Sequence, residues 1–506
     1  MSRPLGFPGL AFAAPFAVAL TGTLAGTAVH ADPLDGGAPA PVAPPPVTVL
    51  QSSAHVAHGL IFIAPIATSS LSIPGGGNDS DAGTSSSPAA VTEGPEILDD
   101  QGRLVWFLPI ANGQAAADFR VQSYRGEPVL TWSQGKGFGG LAQGVTTDYI
   151  LDRHYNVIAT VNAGNGLDAD QHEFRLTPWG TALITVYNAV PRDLSSVGGS
   201  SSGTVIDGVV QEIDIPTGRV LFEWHSLDHV ALDESHQPAP TAASTPYDYF
   251  HINAVSLDED GNYIISSRHT WTIYKIDRHS GAILWRLGGK KSDYTLGANV
   301  AFAWQHNPIA VDGDTIRIFD NESNGTPVLP ASRVIWVRRD DESRIATLAR
   351  SIVHPDGLSA GSQGSSQGLD NGDTFVGWGA VPRISEFDAR GQLLFDASLA
   401  TGYDTYRAYR FEWNGTPDTS PRATSLVNAD GSTTVHAIWN GATGVRRWVV
   451  EAGDDARKLS RVAVADWNGL DTTIAVARIA TYVRVVAEDE AGRVLGRSEP
   501  VSTRAE

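Results

Sequence analysis

One pattern returns along most of this chain: an apolar strand, a tight turn built on aspartate and glycine, and a second apolar strand. It reads Ile97-Leu98-Asp99-Asp100-Gln101-Gly102-Arg103-Leu104-Val105-Trp106, then Ile150-Leu151-Asp152 with Val157-Ile158, and Glu212-Ile213-Asp214 with Gly218-Arg219-Val220-Leu221. It returns as Lys275-Ile276-Asp277 with Gly281-Ala282-Ile283-Leu284-Trp285, degenerately as Val334-Ile335-Trp336-Val337, and as Glu386-Phe387-Asp388 with Gly391-Gln392-Leu393-Leu394-Phe395. The six copies recur at roughly 50 to 60 residues, the period of a propeller blade lengthened by loops. A further strand-like run precedes each copy, at residues 60–63, 129–132, 182–187, 263–266, 315–319 and 374–378. A lone antiparallel sheet of this kind cannot bury both faces, so the repeats must stack. The expectation is an all-β, six-bladed β-propeller over residues 47–420. Two unrelated β-sandwiches are the alternative, but their strands would not repeat this turn chemistry.

After Pro417 the aspartate–glycine turn disappears, and residues 421–506 read as short strands of a small immunoglobulin-like or fibronectin-like β-sandwich with Trp439 and Trp448 in its core. At the other end, Arg3 precedes an apolar run from Gly9 to Leu24, and Val29-His30-Ala31 places small residues where a signal peptidase reads. Residues 1–31 are therefore expected to be a signal peptide and the protein secreted, periplasmic or on the cell surface, with an uncleaved anchor as the alternative. Residues 32–46 form a Pro/Ala-rich linker, and Pro74 to Pro88 a polar loop.

Composition narrows the chemistry. A formal net charge of −20 argues against nucleic acid or an anionic membrane as partner. Zero cysteine excludes disulfides, thiolate nucleophiles and cysteine-ligated zinc. What remains is a set of imidazoles, an amide and a guanidinium suited to holding and attacking a small oxyanion: His251-Ile252-Asn253, Ser267-Arg268-His269 and Trp304-Gln305-His306, with Asp170-Gln171-His172-Glu173-Phe174 one repeat earlier. The first strand of each propeller blade lines the central channel, so such residues would converge on one funnel.

The ordered set Asp170-Gln171-His172-Glu173-Phe174, Asp248-Tyr249-Phe250-His251-Ile252-Asn253, Ile265-Ser266-Ser267-Arg268-His269 with Tyr274-Lys275-Ile276-Asp277, Gln305-His306 followed by Phe319-Asp320-Asn321, and Gly377-Trp378-Gly379 with Ser385-Glu386-Phe387-Asp388 resembles the bacterial arylsulfate sulfotransferases. The resemblance runs from about Val47 to Pro417. It implies a six-bladed propeller that moves a sulfuryl group from a phenolic sulfate ester to another phenol through a sulfated histidine, without a nucleotide sulfate donor and without a cofactor. Carried over, His306 is the nucleophile, His172 and His251 are its catalytic neighbours, and Asn253 and Arg268 hold the sulfuryl oxygens. Glu173 and Trp378 are secondary candidates. The partners implied are an aryl sulfate donor and a phenolic acceptor.

The chemistry agrees with those residue types. Arg268 offers a planar fork for two oxygens and Asn253 a neutral amide donor. A neutral imidazole attacks sulfur without carrying a proton away, while a second can protonate a phenolate whose conjugate acid has a pKa of ~10. Bland roles compete for each: Arg268 as a surface ion pair, Asn253 as a turn residue, Trp378 as a packing aromatic, Glu173 as an imidazole orienter or a solvent-facing acid. His154, His225, His229, His236, His279, His354 and His436 read as structural. A zinc site on the same histidines is disfavoured by Arg268. Two other classes remain open, a non-catalytic propeller that binds an anionic ligand or protein in its funnel and a quinone-dependent dehydrogenase, the latter disfavoured because the repeats lack its tryptophan-docking motif.

Overall fold

Aspartate opens each repeated turn, and in five of the six its carboxylate caps the backbone that it turns, while Asp214 accepts from the Thr217 hydroxyl. Asp99 accepts from the N–H groups of Gln101 and Arg103, both at 2.9 Å. Asp152 does the same for His154 and Asn156, Asp277 for His279 and Ser280, Asp340 for Glu342 and Ser343, and Asp388 for Arg390 and Gln392. The residue that closes the turn is left-handed in every copy: Gly102, Tyr155, Gly218, Gly281, Arg344 and Gly391 have φ between +55° and +81°. Glycine fills four of these positions because that conformation costs it least. The copy that looks degenerate in sequence therefore keeps the turn with Arg344 in glycine's place, and the second copy keeps it with Tyr155.

The computed structural model describes residues 43–68, 91–136 and 145–505. The expected signal peptide, nearly all of the linker and the loop from Pro74 to Pro88 lie outside the described residues. Within them the architecture is all-β, with short 3-10 turns and no α-helix. No helix among them is long and apolar enough to cross a membrane.

Six antiparallel groups of four strands follow one another, the second and third joined in one eight-stranded sheet and the fifth carrying Thr295–Leu296 in parallel at its edge. The first pairs Tyr409–Phe411, Leu60–Ile63, Glu96–Leu98 and Leu104–Phe107, so its opening strand comes from far down the chain. The second holds Ala115–Tyr124, Glu127–Gly135, Thr146–Leu151 and Val157–Val161. The third holds Ala169–Leu176, Thr181–Arg192, Gly203–Asp214 and Arg219–His225, and touches the second through one bridge between Ala169 and Thr146. The fourth holds Ile252–Leu257, Tyr263–Ser267, Thr272–Ile276 and Ile283–Gly288. His306–Ala310, Thr315–Asp320, Arg333–Asp340 and Ile345–Val353 make the fifth. Ser365–Gly368, Thr374–Gly377, Arg383–Phe387 and Leu393–Leu399 make the sixth, with Val47–Ser52 added at its edge.

Apolar clusters join consecutive sheets. Phe62, Trp106, Phe119 and Trp132 lie between the first and second, Val129, Ile150, Ile184 and Ile213 between the second and third, and Trp224, Phe250, Tyr263 and Tyr274 between the third and fourth. Ile264, Leu287, Ile318 and Ile335 join the fourth to the fifth, Phe319, Val334, Val376 and Trp378 the fifth to the sixth, and Ile61, Ile63, Phe375 and Phe395 the sixth back to the first. Burying each such side chain contributes about 1.5–3 kcal/mol. The opening strands of the six sheets also touch in order: Ala115–Tyr124 lies against Ala169–Leu176, then Ile252–Leu257, His306–Ala310, Ser365–Gly368 and Tyr409–Phe411, which returns to Ala115–Tyr124.

Two further sheets follow, Asp471–Val476, Thr433–Ile438, Arg422–Val427 and Arg504–Ala505 in one, and Ser460–Asp466, Arg447–Gly453, Tyr482–Glu488 and Val494–Arg497 in the other. They share one core around Val435, Trp448, Val450, Ile474 and Val485, with Trp439 packed at its margin.

Candidate active site

Four of the six opening strands share an irregularity. Register slips between Ala117 and Arg120, between Ala169 and Phe174, between Ile252 and Ala254, and between His306 and Ile309. A bulge bends its strand and re-aims a side chain. Asp118, His251 and Asn307 within or beside these slips take φ of +55°, +53° and +48°. Bulged strands thus carry Asp118, His172, His251, Asn253 and His306 into one region.

His306 is buried, with 2% of its surface exposed. Asn321 donates its amide to the carbonyls of Ala360 and Gln363 at 3.1 and 2.9 Å, which fixes its Oδ1 toward the ring. His306 Nδ1 lies 2.7 Å from that Oδ1 and 3.1 Å from Trp304 O, both acceptors, so the ring proton sits on Nδ1. Nε2 accepts the Gln363 N–H at 3.2 Å. Burial, then the Arg268 charge, push the imidazole well below its usual range, so it is neutral.

Three more histidines share that tautomer. His251 Nδ1 is 2.5 Å from the Asp248 carboxylate, His269 Nδ1 is 2.5 Å from the Asp248 carbonyl, and His172 Nδ1 bonds Asp170. Each is left with Nε2 as its basic nitrogen. The His172 and His251 rings are 5.2 Å apart, and His251 and His269 are 4.6 Å apart. Burial, then the His172 and Arg268 charges, hold His251 well below the imidazole range, and burial takes His269 to about 3. Tyr187 stacks on His172 at 5.2 Å, and Tyr406 meets His172 and His306 edge-on at 5.6 and 6.4 Å.

Arg268 supplies the cation. It is buried, its Nη1 donates to His269 Nε2 at 2.9 Å, and its Nη2 donates to Gly361 O at 2.9 Å. Both hydrogen-bond partners are neutral. Burial lowers the guanidinium to about 10, which still leaves it charged at neutral pH. Because Gly361 and Gln363 belong to one short segment, the same loop that holds Arg268 also holds His306.

The other predicted residues are placed differently. Asn253 is fully buried and donates Nδ2 to Gln305 O at 2.7 Å, and its Oδ1 has no partner among the described residues. Glu173 neither orients His172 nor faces solvent: it lies 2.7 Å from Arg120 and 3.0 Å from Arg407. Burial pushes its carboxyl up, but Arg407, Arg175 and Arg120 outweigh that and hold it at about 2. Trp378 is fully buried between the fifth and sixth sheets, with Nε1 donating to Ser385 at 3.0 Å. Asp170, Asp248, His269 and Asn321 lie within the quoted motifs but carried no role there, and Tyr187, Gln363 and Tyr406 were not among the candidates. The spacings Asp-x-His at Asp170 and Asp-x-x-His at Asp248 carried a signal for the two orienting carboxylates, whereas Tyr406 carried none.

Asp248, His251 and His269 bring ligand atoms within 4.8 Å of one another. The adjoining guanidinium, bonded to His269 itself, opposes a dication there. The site instead offers an oxyanion a buried cation with neutral partners, and sets beside it imidazole nitrogens that can act as nucleophile or base.

The model of the family described as arylsulfotransferase (ASST) matches residues 120–400, which contain His172, His251, His269, His306, Arg268 and Asn253. The chain belongs to the arylsulfotransferase family. No curated protein matches it. Among solved structures, this arylsulfotransferase-family chain is similar to a protein of unknown function from Bacteroides caccae at 12% identity, covering 69% of this chain and 98% of that one, with a TM-score of 0.38. It is also similar to the periplasmic gluconolactonase PpgL of Pseudomonas aeruginosa at 11% identity, covering 88% and 96%, with a TM-score of 0.33. A virginiamycin B lyase from Staphylococcus aureus is 9% identical over 76% of this chain and 96% of its own, with a TM-score of 0.28. The family assignment rests on the family model alone.

Proposed function

We propose that this protein is an aryl-sulfate sulfotransferase that works by two-step exchange. His306 Nε2 attacks the sulfur of a phenolic sulfate ester, the S–O bond to the aryl oxygen breaks, and the phenolate takes a proton from a protonated imidazole of His172, which stands beside the neutral His251. An acceptor phenol then returns its proton to that imidazole as its oxygen attacks the sulfur on His306. The sulfuryl group needs no nucleotide donor and no cofactor in this scheme. The observation that carries it is Arg268, a buried guanidinium hydrogen-bonded to neutral acceptors beside a neutral imidazole. A sulfate monoester brings one negative charge for it, and the contact tightens as charge moves toward the leaving oxygen.

The host is a six-bladed propeller over residues 47–420, in which each four-stranded sheet is a blade and Tyr409–Phe411 closes the ring. The return of both the apolar clusters and the opening strands to their starting sheet supports this. Residues 421–506 form a β-sandwich on one shared core, and residues 1–31 direct export.

Burial of His306 favours a second reading, in which the propeller binds an anion without turning it over. The nucleophile is enclosed and its Nε2 already accepts the Gln363 N–H, so attack requires that bond to yield. Initial rates with phenyl sulfate donors and varied phenol acceptor separate the two. Parallel double-reciprocal lines and a burst of phenol without acceptor are expected; intersecting lines or an absolute need for a nucleotide sulfate would sink the exchange. Binding of sulfate esters without any release of phenol would establish the second reading.

A further inference from the structure

Beside Arg268 and away from His172, three aromatic side chains form a continuous wall. Trp304 lies under the guanidinium at 5.1 Å, Trp271 meets Trp304 edge-on at 5.2 Å, and His236 stacks flat on Trp271 at 3.6 Å. Three features set this wall apart from ordinary packing. Trp271 and Trp304 both hold left-handed backbones, with φ of +52° and +59°, which bulky residues rarely adopt. Four of its polar atoms are buried without partners: Trp271 Nε1, Trp304 Nε1, His236 Nε2 and Arg268 Nε. Buried indole N–H groups ordinarily find an acceptor, so orphans gathered in one stack call for an explanation. Trp304 and Arg268 are themselves more than nine-tenths buried. Finally, burial and then Lys290 take His236 to about 4, so its ring is neutral and adds no charge to repel Arg268.

We propose that His236, Trp271 and Trp304 form a binding subsite for the far side of an aromatic substrate, a ring carrying a carboxylate or similar oxygen acceptor opposite its reacting hydroxyl. The rings follow Arg268 in centroid steps of 5.1, 5.2 and 3.6 Å, so Trp304 comes first, Trp271 next and His236 last. A phenol whose oxygen lies at the sulfuryl site would meet Trp304 first and present its far substituent to the indole donors. The subsite depends on the sulfotransfer reading for its role and not for its existence, since binding of the phenol alone reports it.

Calorimetric titration of the full chain with 4-hydroxybenzoate and with 4-methylphenol tests it. The native protein should bind 4-hydroxybenzoate more tightly. Trp271→Phe, which keeps a ring and removes the N–H, should weaken 4-hydroxybenzoate about tenfold, the size of one lost buried hydrogen bond, and 4-methylphenol much less. His236→Ala should weaken both ligands by removing the stack. Equal losses for the two ligands in Trp271→Phe, or none in either variant, would overturn the subsite. A phenyl sulfate transfer assay on the same samples reads the exchange reaction separately: selective loss of 4-hydroxybenzoate binding in a protein without transferase activity retains the subsite and rejects the reaction.

Discussion

Among the buried arginines of this molecule, two groups near the opening strands are held in opposite ways. Arg120 and Arg407 sit among Asp118, Glu173 and Tyr409, with carboxylate contacts of 2.7–3.1 Å. Burial lowers both guanidinium pKa values, but the neighbouring acids outweigh it and leave them raised. Arg268 is equally buried and donates only to an imidazole and a peptide carbonyl among the described residues, and its pKa falls. The first arrangement is compensated and is therefore structure. The second is a cation with no carboxylate bonded to it, offset only in part by Asp248 through space, a state that costs stability unless an anion arrives. Arg317 shares the second arrangement on the hydroxyl and carbonyl of Ser366 without any histidine bonded to it, so it is the imidazole partner that sets Arg268 apart.

The largest effect expected from this contrast is chemical. His306→Asn should lower sulfuryl transfer by at least ~10³-fold and abolish the burst of phenol, since a covalent intermediate has no substitute nucleophile. A full burst would move the nucleophile to His172 or His251. Because His306 is buried and bonded to Asn321 and Gln363, rather than on a rim, the thermal midpoint of this variant should be measured alongside.

Glu173→Ala tests the compensated side. It strands Arg407 and Arg120 in the interior and should cost about 3–5 kcal/mol in denaturant unfolding. Unchanged stability would remove the distinction drawn here.

Arg268→Lys should reduce transfer by roughly 10²-fold, because an ammonium cannot reproduce the planar contact with two oxygens. Arg268→Met should in contrast leave stability equal or raised while activity is lost, since it deletes an unpaired buried charge. Destabilisation by the methionine variant would show that Arg268 is structural.

Asp170→Asn should cost about tenfold in transfer with poor leaving groups and less with nitrophenyl sulfate, whose phenolate needs little protonation. Equal losses across leaving groups would take the His172 imidazole out of proton transfer.

The smallest effect concerns an acidic counterpart of Arg268. Asp404 is buried, accepts from the neutral Gln363 amide at 3.3 Å, and is pushed up to about 7 by burial. Its folded pKa lies above the unfolded value of about 3.9, so the stability from its proton is present at low pH and is lost as pH rises through about 7. Asp404→Asn should therefore raise the thermal midpoint more at pH 8 than at pH 5; equal shifts would contradict the assignment.

The hairpins were legible because their cause is local: an aspartate caps two amides, and glycine closes the turn. Even Asp340 carries this signal in the copy that seemed degenerate. The opening strands were less legible because bulges at His306, Ile252 and Ala169 break the period-two alternation that marks a strand. Those irregular strands carry the site, so the histidines could be picked out as residues while their partners could not. Glu173 shows the limit. Its neighbour in sequence is His172, but its neighbours in space, Arg120 and Arg407, come from other sheets.

The pairing of Leu60–Ile63 with Tyr409–Phe411 also governs the order of assembly. Closing a loop of that length carries a large entropic cost and comes late when many local hairpins are available first. Tyr406 and Arg407 immediately precede the closing strand, and Arg407 donates to the carbonyl of Asn253 at 3.1 Å. A growing chain can therefore complete most of its hairpins while its site still lacks both residues. Catalytic competence would appear only once the ends of the repeat array have met, which makes activity itself a reporter of ring closure during refolding.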